Sequence, residues 1–122
     1  MSDQTISTRT PEEVYASHGA ALVAEDLDAL AANFAEDAVI VTRAGVKHGK
    51  DGARENFAQL FSDLPQAGWD MKTTLFGGDV LFLEWSATSV KNSATHGVDT
   101  FVIRDGLIQA QTVSYALAPN DQ

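Results

Sequence analysis

Apolar positions recur at helical spacing through the first half of the chain and alternate at strand spacing through the second. Thr10-Pro11-Glu12-Glu13 reads as a helix start: the threonine caps, the proline suits the first turn, and Glu13 closes a capping box. The spacing predicts a helix to about Glu25, with Val14, Tyr15, His18 and Leu22 near one face. Asp26 restarts a shorter helix, in which Leu27, Leu30, Ala31 and Phe34 recur at i, i+3, i+4 and i+7 and which Glu36-Asp37 ends. Ala38 to Thr42 is short, apolar and β-branched, hence a strand. Gly45 marks a turn. Past Gly49 a third helix is predicted from about Asp51 to Leu64, carrying Ala53, Phe57, Leu60, Phe61 and Leu64 on one stripe and stopped by Pro65.

From Gly68 onward the chain reads as strand. Trp69, Met71 and Leu75 alternate with polar residues, Gly77-Gly78 turns, and Val80 to Val90, His96 to Arg104 and Leu107 to Leu117 follow. Asp105-Gly106 is a two-residue hairpin signal that demands positive φ. Counting from that turn, Arg104 opposes Leu107, Ile103 opposes Ile108, Phe101 opposes Ala110 and Asp99 opposes Thr112. One face then holds Ile103, Ile108, Phe101 and Ala110, with Asp99, Thr112 and Ser114 further along; the other is mixed and suits burial against another subunit. On the strand from Val80, the more apolar set Leu81, Leu83, Trp85 and Ala87 faces inward; a loop at Lys91-Ser93 one residue shorter would instead turn Glu84 and Ser86 inward. Three helices followed by four long antiparallel strands make an α+β domain with helices on one face.

With 122 residues the chain fits one domain, its core at about residues 11–117 and its ends, 1–9 and 118–122, loose. A net charge of −9 with singly scattered lysines and arginines argues against nucleic acid and against an anionic membrane surface as partners. The segment Met1 to Thr10 has no apolar core of the leader type, and no run approaches a bilayer span. Absence of cysteine removes disulfides and thiolate metal sites and suits a reducing cytoplasm. His18, His48 and His96 fall on separate elements without ligand spacing, so no metal is expected.

Glu25-Asp26-Leu27-Asp28-Ala29-Leu30, Phe34-Ala35-Glu36-Asp37-Ala38-Val39 and His48-Gly49-Lys50-Asp51-Gly52 resemble the SnoaL-like polyketide cyclases and equally the ketosteroid isomerases. Val98-Asp99-Thr100-Phe101 and Arg104-Asp105-Gly106 continue the likeness, which covers roughly residues 11 to 117. The resemblance implies the cone-shaped fold of the nuclear-transport-factor-2-like (cystatin-like) superfamily: three N-terminal helices on a curved, mainly antiparallel sheet that wraps a cavity. It also implies a homodimer through the outer sheet face. Fold does not fix function, since this one carries hydrolases, dehydratases and non-catalytic association domains.

Asp99 falls where the isomerases carry a pocket acid, and desolvation at such a place raises a carboxyl pKa. The alternative is an aspartate solvated or salt-bridged at the pocket mouth. His18 matches the isomerases' oxyanion-binding tyrosine and is either a proton shuttle or a core-edge histidine bonded to a carbonyl. Tyr15, Phe57, Phe61, Trp69, Trp85, Phe101 and Thr112 are the expected wall of a substrate site, though such aromatics often serve only as core. Where the isomerases place a general-base aspartate this chain has Thr42, and Val113 stands near the aspartate of epoxide-hydrolysing relatives; both of those reactions are disfavoured.

Two readings follow. The first is an enzyme acting on a small apolar carbonyl compound, with Asp99 as general acid–base, His18 polarising the carbonyl oxygen, and no cofactor. The second is a non-catalytic ligand-binding or dimerisation module of the same fold.

Overall fold

The computed structural model describes residues 8–120; residues 1–7 and 121–122, parts of the ends expected to be loose, lie outside the described residues. Helix α1 (Pro11–Ala24) starts on the expected box, with Thr10 Oγ1 accepting from the Glu13 amide and the Glu13 carboxylate accepting from the Thr10 amide. Thr10→Ala removes one of these bonds and should lower stability by about 1 kcal/mol. Urea denaturation reads this directly, and an unmoved midpoint would show that the cap contributes nothing.

Helix α2 (Leu27–Ala32), capped by Asp26, is shorter than its periodicity suggested. Asn33 closes it, and Phe34 already belongs to strand β1 (Phe34–Thr42), pairing in parallel with Ile108. Phe34 is fully buried. A position that is apolar in both periodicities cannot tell helix from strand, so here the long-range pairing decided. Glu36 and Asp37 are exposed within a register shift of β1 and do not end a helix. Strand β2 (Gly45–His48), not foreseen, pairs antiparallel with β1. Helix α3 (Gly49–Asp63) buries Ala53, Phe57 and Leu60 and ends at Leu64, itself buried.

Four strands follow: β3 (Gly68–Gly77), β4 (Val80–Thr88), β5 (Asn92–Arg104) and β6 (Leu107–Ser114). A short β7 (Leu117–Pro119) then pairs with the start of β5, so the chain near 118 is tied down rather than loose. Arg9 is also anchored, donating to Asn33 Oδ1 at 3.0 Å and to the Gly106 carbonyl at 2.6 Å. The sheet runs β2-β1-β6-β5-β4-β3, antiparallel except for β1 beside β6. Register shifts interrupt the β1–β6, β3–β4, β4–β5 and β5–β6 pairings, and such bulges bend and coil a sheet. The result is a curved, unclosed sheet with three helices on its concave face. Val14, Leu30, Phe34, Ile40, Phe101 and Ile103 are fully buried members of the core between the layers.

The hairpin turn has Asp105 at φ 58° and Gly106 at φ 73°, as a tight two-residue turn requires. Arg104↔Leu107 and Ile103↔Ile108 pair as expected. Then Gln109 is extruded as a bulge, its side chain folding back to donate to the Arg104 carbonyl at 2.7 Å. Beyond it the register moves by one residue: Phe101 opposes Gln111 and Asp99 opposes Val113. A one-residue slip exchanges the faces of a strand. Gln111 is therefore buried, whereas Thr112 is exposed on the outer face beside Thr100 and Val41.

Candidate functional site

Alternation along three adjacent strands brings the chemistry together. Asp99, on β5, is 6% exposed and points at the concave side. From β4, Trp85 Nε1 donates to its Oδ1 at 2.7 Å; from β6, Gln111 Nε2 donates to its Oδ2 at 2.8 Å. Trp85 faces inward, leaving Glu84 exposed on the other side. Trp85 pairs with Gly97 and Leu83 with Asp99, so the indole reaches the carboxylate diagonally across the ladder. Its ring lies directly on the glycine: a Cβ at Gly97 would meet indole carbons at 2.1–2.5 Å. Trp69 and Tyr115 flank the indole, with ring centroids 5.5 and 5.6 Å away.

Opposite the sheet, α1 brings His18, which is 5% exposed. The ring is packed edge-on by Phe57 and Phe101, centroids at 5.3 and 5.2 Å. Its Nδ1 has no hydrogen-bond partner among the described residues.

Burial sets the two ionisations. It pushes Asp99 up from 3.8 to about 6, against the two donated hydrogen bonds, which favour the carboxylate. It pushes His18 down from 6.5 to about 4, so the imidazole is neutral at physiological pH. Tyr115 is raised to about 12 by burial first, then by the nearby Asp63 charge and the hydrogen bond to it, and stays a phenol.

Asp99 and His18 line one cavity of about 40 Å³. Of the expected wall, Tyr15, Phe57, Trp69, Trp85 and Phe101 line it. Phe61 does not: it is half-buried behind Phe57, its ring 6.4 Å from that neighbour. Thr112 does not either, because the Gln109 bulge turns it outward. In its place stands Gln111, 1% exposed, with its Oε1 lacking any partner among the described residues. Asn56, Val113 and Tyr115 also reach the cavity and were not foreseen from the sequence. The polar alternation Gln109, Gln111 was visible there, but only the bulge says which of the two turns inward. Thr42 lies outside this cavity, its hydroxyl accepting from the Ala44 amide in the β1–β2 turn.

The sequence profile of the SnoaL-like domain matches residues 15–111. The chain belongs to the SnoaL-like domain family. This SnoaL-like chain is similar in structure to IdmH of Streptomyces antibioticus, a candidate polyketide cyclase, with a TM-score of 0.70 and 18% identity over 88% of this chain and 92% of that one. It is also similar to SalBIII, an epoxide hydrolase/cyclase-like enzyme of pyran ring formation in salinomycin: TM-score 0.73, 19% identity, 87% and 90% covered. An NTF2-like protein of unknown function from Cytophaga hutchinsonii aligns at 0.73 with 13% identity over 95% of each chain. At such identities these likenesses establish the shared fold. No curated protein sequence matches the chain.

Proposed function

We propose that this SnoaL-like protein binds a small apolar carbonyl compound and moves a proton on it, with Asp99 as the base. The observation that carries the reading is a buried carboxyl group, doubly hydrogen-bonded and pushed up to about 6, on the wall of an aromatic cavity that it shares with an uncharged histidine. At pH 7 such a carboxyl is mostly ionised yet basic enough to accept a proton, which suits general acid–base work. Asp99 takes a proton from the carbon next to the carbonyl, and the bond electrons pass to the oxygen. A neutral His18 N–H donates to that enolate oxygen. Return of the proton to another carbon completes an isomerisation; attack of the enolate carbon on a second carbonyl of the same molecule, whose π electrons pass to its oxygen and whose oxygen takes the proton back from Asp99, completes a ring closure. Trp85 and Gln111 hold the carboxylate between these steps. No residue of the scheme calls for a cofactor.

The test is exchange of α-protons into D2O, followed by NMR, over a panel of cyclic and aryl ketones. The rate should climb as pH rises through about 6, where Asp99 becomes the carboxylate, and level off above pH 7. No exchange across the panel, or a profile with no limb near 6, would remove the catalytic reading.

One observation favours the non-catalytic alternative as a dimerisation module: the cavity as it stands, about 40 Å³, has room for a few water molecules. Neither heat stabilisation nor exchange with any ketone of the panel is its signature. For assembly, we propose a homodimer through the outer sheet face, where Val41, Leu75, Val80 and Val98 are exposed. Sedimentation equilibrium should give twice the chain mass, and Val98→Glu should return the monomer. A wild-type monomer at micromolar concentration would rule this out.

A further inference from the structure

A second space adjoins the cavity. A groove of about 540 Å³ lies between α3, the β1–β2 turn and the end of β6, lined in part by Arg43, Lys47, Glu55 and Asp63. Asn56, Val113 and Tyr115 line both spaces, so these three side chains are the wall between them. Tyr115 forms the end of that wall. It follows the last residue of β6, its ring is only half-buried, and its hydroxyl is tethered to Asp63 Oδ2 at 3.4 Å, the weak end of hydrogen-bond geometry. The two spaces, about 40 Å³ and about 540 Å³, meet at this side chain.

Two bases and two acids line the groove. Lys47 pairs with Glu55 at 3.3 Å, whereas Asp63 accepts only from uncharged groups, Gln59 at 3.1 Å and Tyr115. Arg43 has no acidic or hydrogen-bonding partner among the described residues, although acids outnumber bases by 17 to 8 in the chain. The Asn56 side-chain amide, half-buried in the dividing wall, is also without a partner among them. Polar groups thus run from Asp99 and the unpaired Gln111 Oε1 through Asn56 to Arg43.

We infer that groove and cavity are two halves of one site for an amphipathic organic anion, its apolar end beside Asp99 and its carboxylate or sulfonate on Arg43. This rests on the reading of the inner cavity as a ligand site. An ionised Asp99 repels a second anion from the inner half, while Arg43 offers two parallel N–H donors to one in the outer half. The ligand enters by displacing Tyr115.

A pair of fluorescent probes isolates the charge: 8-anilinonaphthalene-1-sulfonate and neutral N-phenyl-1-naphthylamine differ by the sulfonate alone. Wild type should bind the sulfonate more tightly. Arg43→Gln should weaken it about fivefold and Arg43→Glu further, both leaving the neutral probe within twofold, and 1 M salt should shrink the preference. Tyr115→Phe, which cuts the tether but keeps the ring, should speed association of both probes. The chain has two tryptophans, both lining the inner cavity, so their two indole N–H signals in a 15N NMR spectrum report its occupancy. If the neutral probe leaves both signals unmoved, the cavity is no ligand site and both proposals fall. If the signals move but both Arg43 variants retain the wild-type ratio of affinities, only the outer half is disproved.

Discussion

Asp99→Asn should lose α-proton exchange by two to four orders of magnitude and, at pH 8, make the protein more stable. The first effect follows because an amide has no lone pair basic enough to take the proton. The second follows from the cost of burying the charge. The folded-state pKa is raised from 3.8 to about 6, roughly two units, and at about 1.4 kcal/mol per unit the ionised carboxyl costs about 3 kcal/mol of folding stability. The sign is that of a raised pKa: the folded state binds the proton more tightly, so this group's stability is present below 3.8 and lost as pH rises through 6. That figure is already net of the two hydrogen bonds, so an asparagine standing in for the neutral carboxyl should gain up to about 3 kcal/mol at pH 8.

His18 works in the opposite direction. Its folded pKa of about 4 lies below the free value of 6.5, so stability is lost as pH falls through that window. In the wild type the two slopes nearly cancel between pH 6.5 and 4. In Asp99→Asn only the histidine's slope remains, and stability should fall steeply with acid. Urea denaturation at pH 8, 6 and 4.5 separates the cases. A variant that is less stable than wild type by the same amount at every pH would mean the carboxyl is not desolvated in solution.

Gly97→Ala should cost about 2–4 kcal/mol, far more than one methyl group on an ordinary strand. The backbone there is not in the left-handed region, so alanine carries no conformational penalty. The whole cost arises from the indole of Trp85, which a Cβ would overlap at 2.1–2.5 Å. Either the strands part or the indole leaves, and leaving takes its hydrogen bond away from Asp99. Tryptophan fluorescence should shift to the red along with the loss of stability. The decisive comparison is made in a Trp85→Ala background, where the same Gly97→Ala change should be neutral or slightly stabilising, because the clash is gone and alanine reduces the entropy of the unfolded chain. Equal costs in both backgrounds would show that Gly97 is not fitted to the indole. Gly97 thus touches nothing reactive, yet it sets where the donor to the carboxylate lies.

Much of this was legible in the residue order. The helix start at Thr10-Pro11-Glu12-Glu13, the stripe Val14-His18-Leu22 and the Asp105-Gly106 turn each rest on interactions within a few residues, and all three are found. The inward set Leu81-Leu83-Trp85-Ala87 follows from strand alternation, which is also local. Asp99 shares the inward face of Ile103 and Phe101 because it lies an even number of residues from them on its own strand, a spacing the bulge in the opposite strand does not disturb.

Where the structure departs from the local sequence pattern, the deciding force was distant. Phe34 became strand because Ile108 lies beside it, and Gln111 replaced Thr112 because one extruded residue, Gln109, inverted the rest of β6. Local propensity and hydrophobic period therefore determined the elements, their order and the identity of the buried carboxyl. Tertiary structure alone decided the partners of that carboxyl, the indole seated on Gly97 and the two spaces meeting at Tyr115. A bulge or a side chain lying across a neighbouring strand is fixed by packing between segments far apart in sequence, and the order of residues carries no period that announces it.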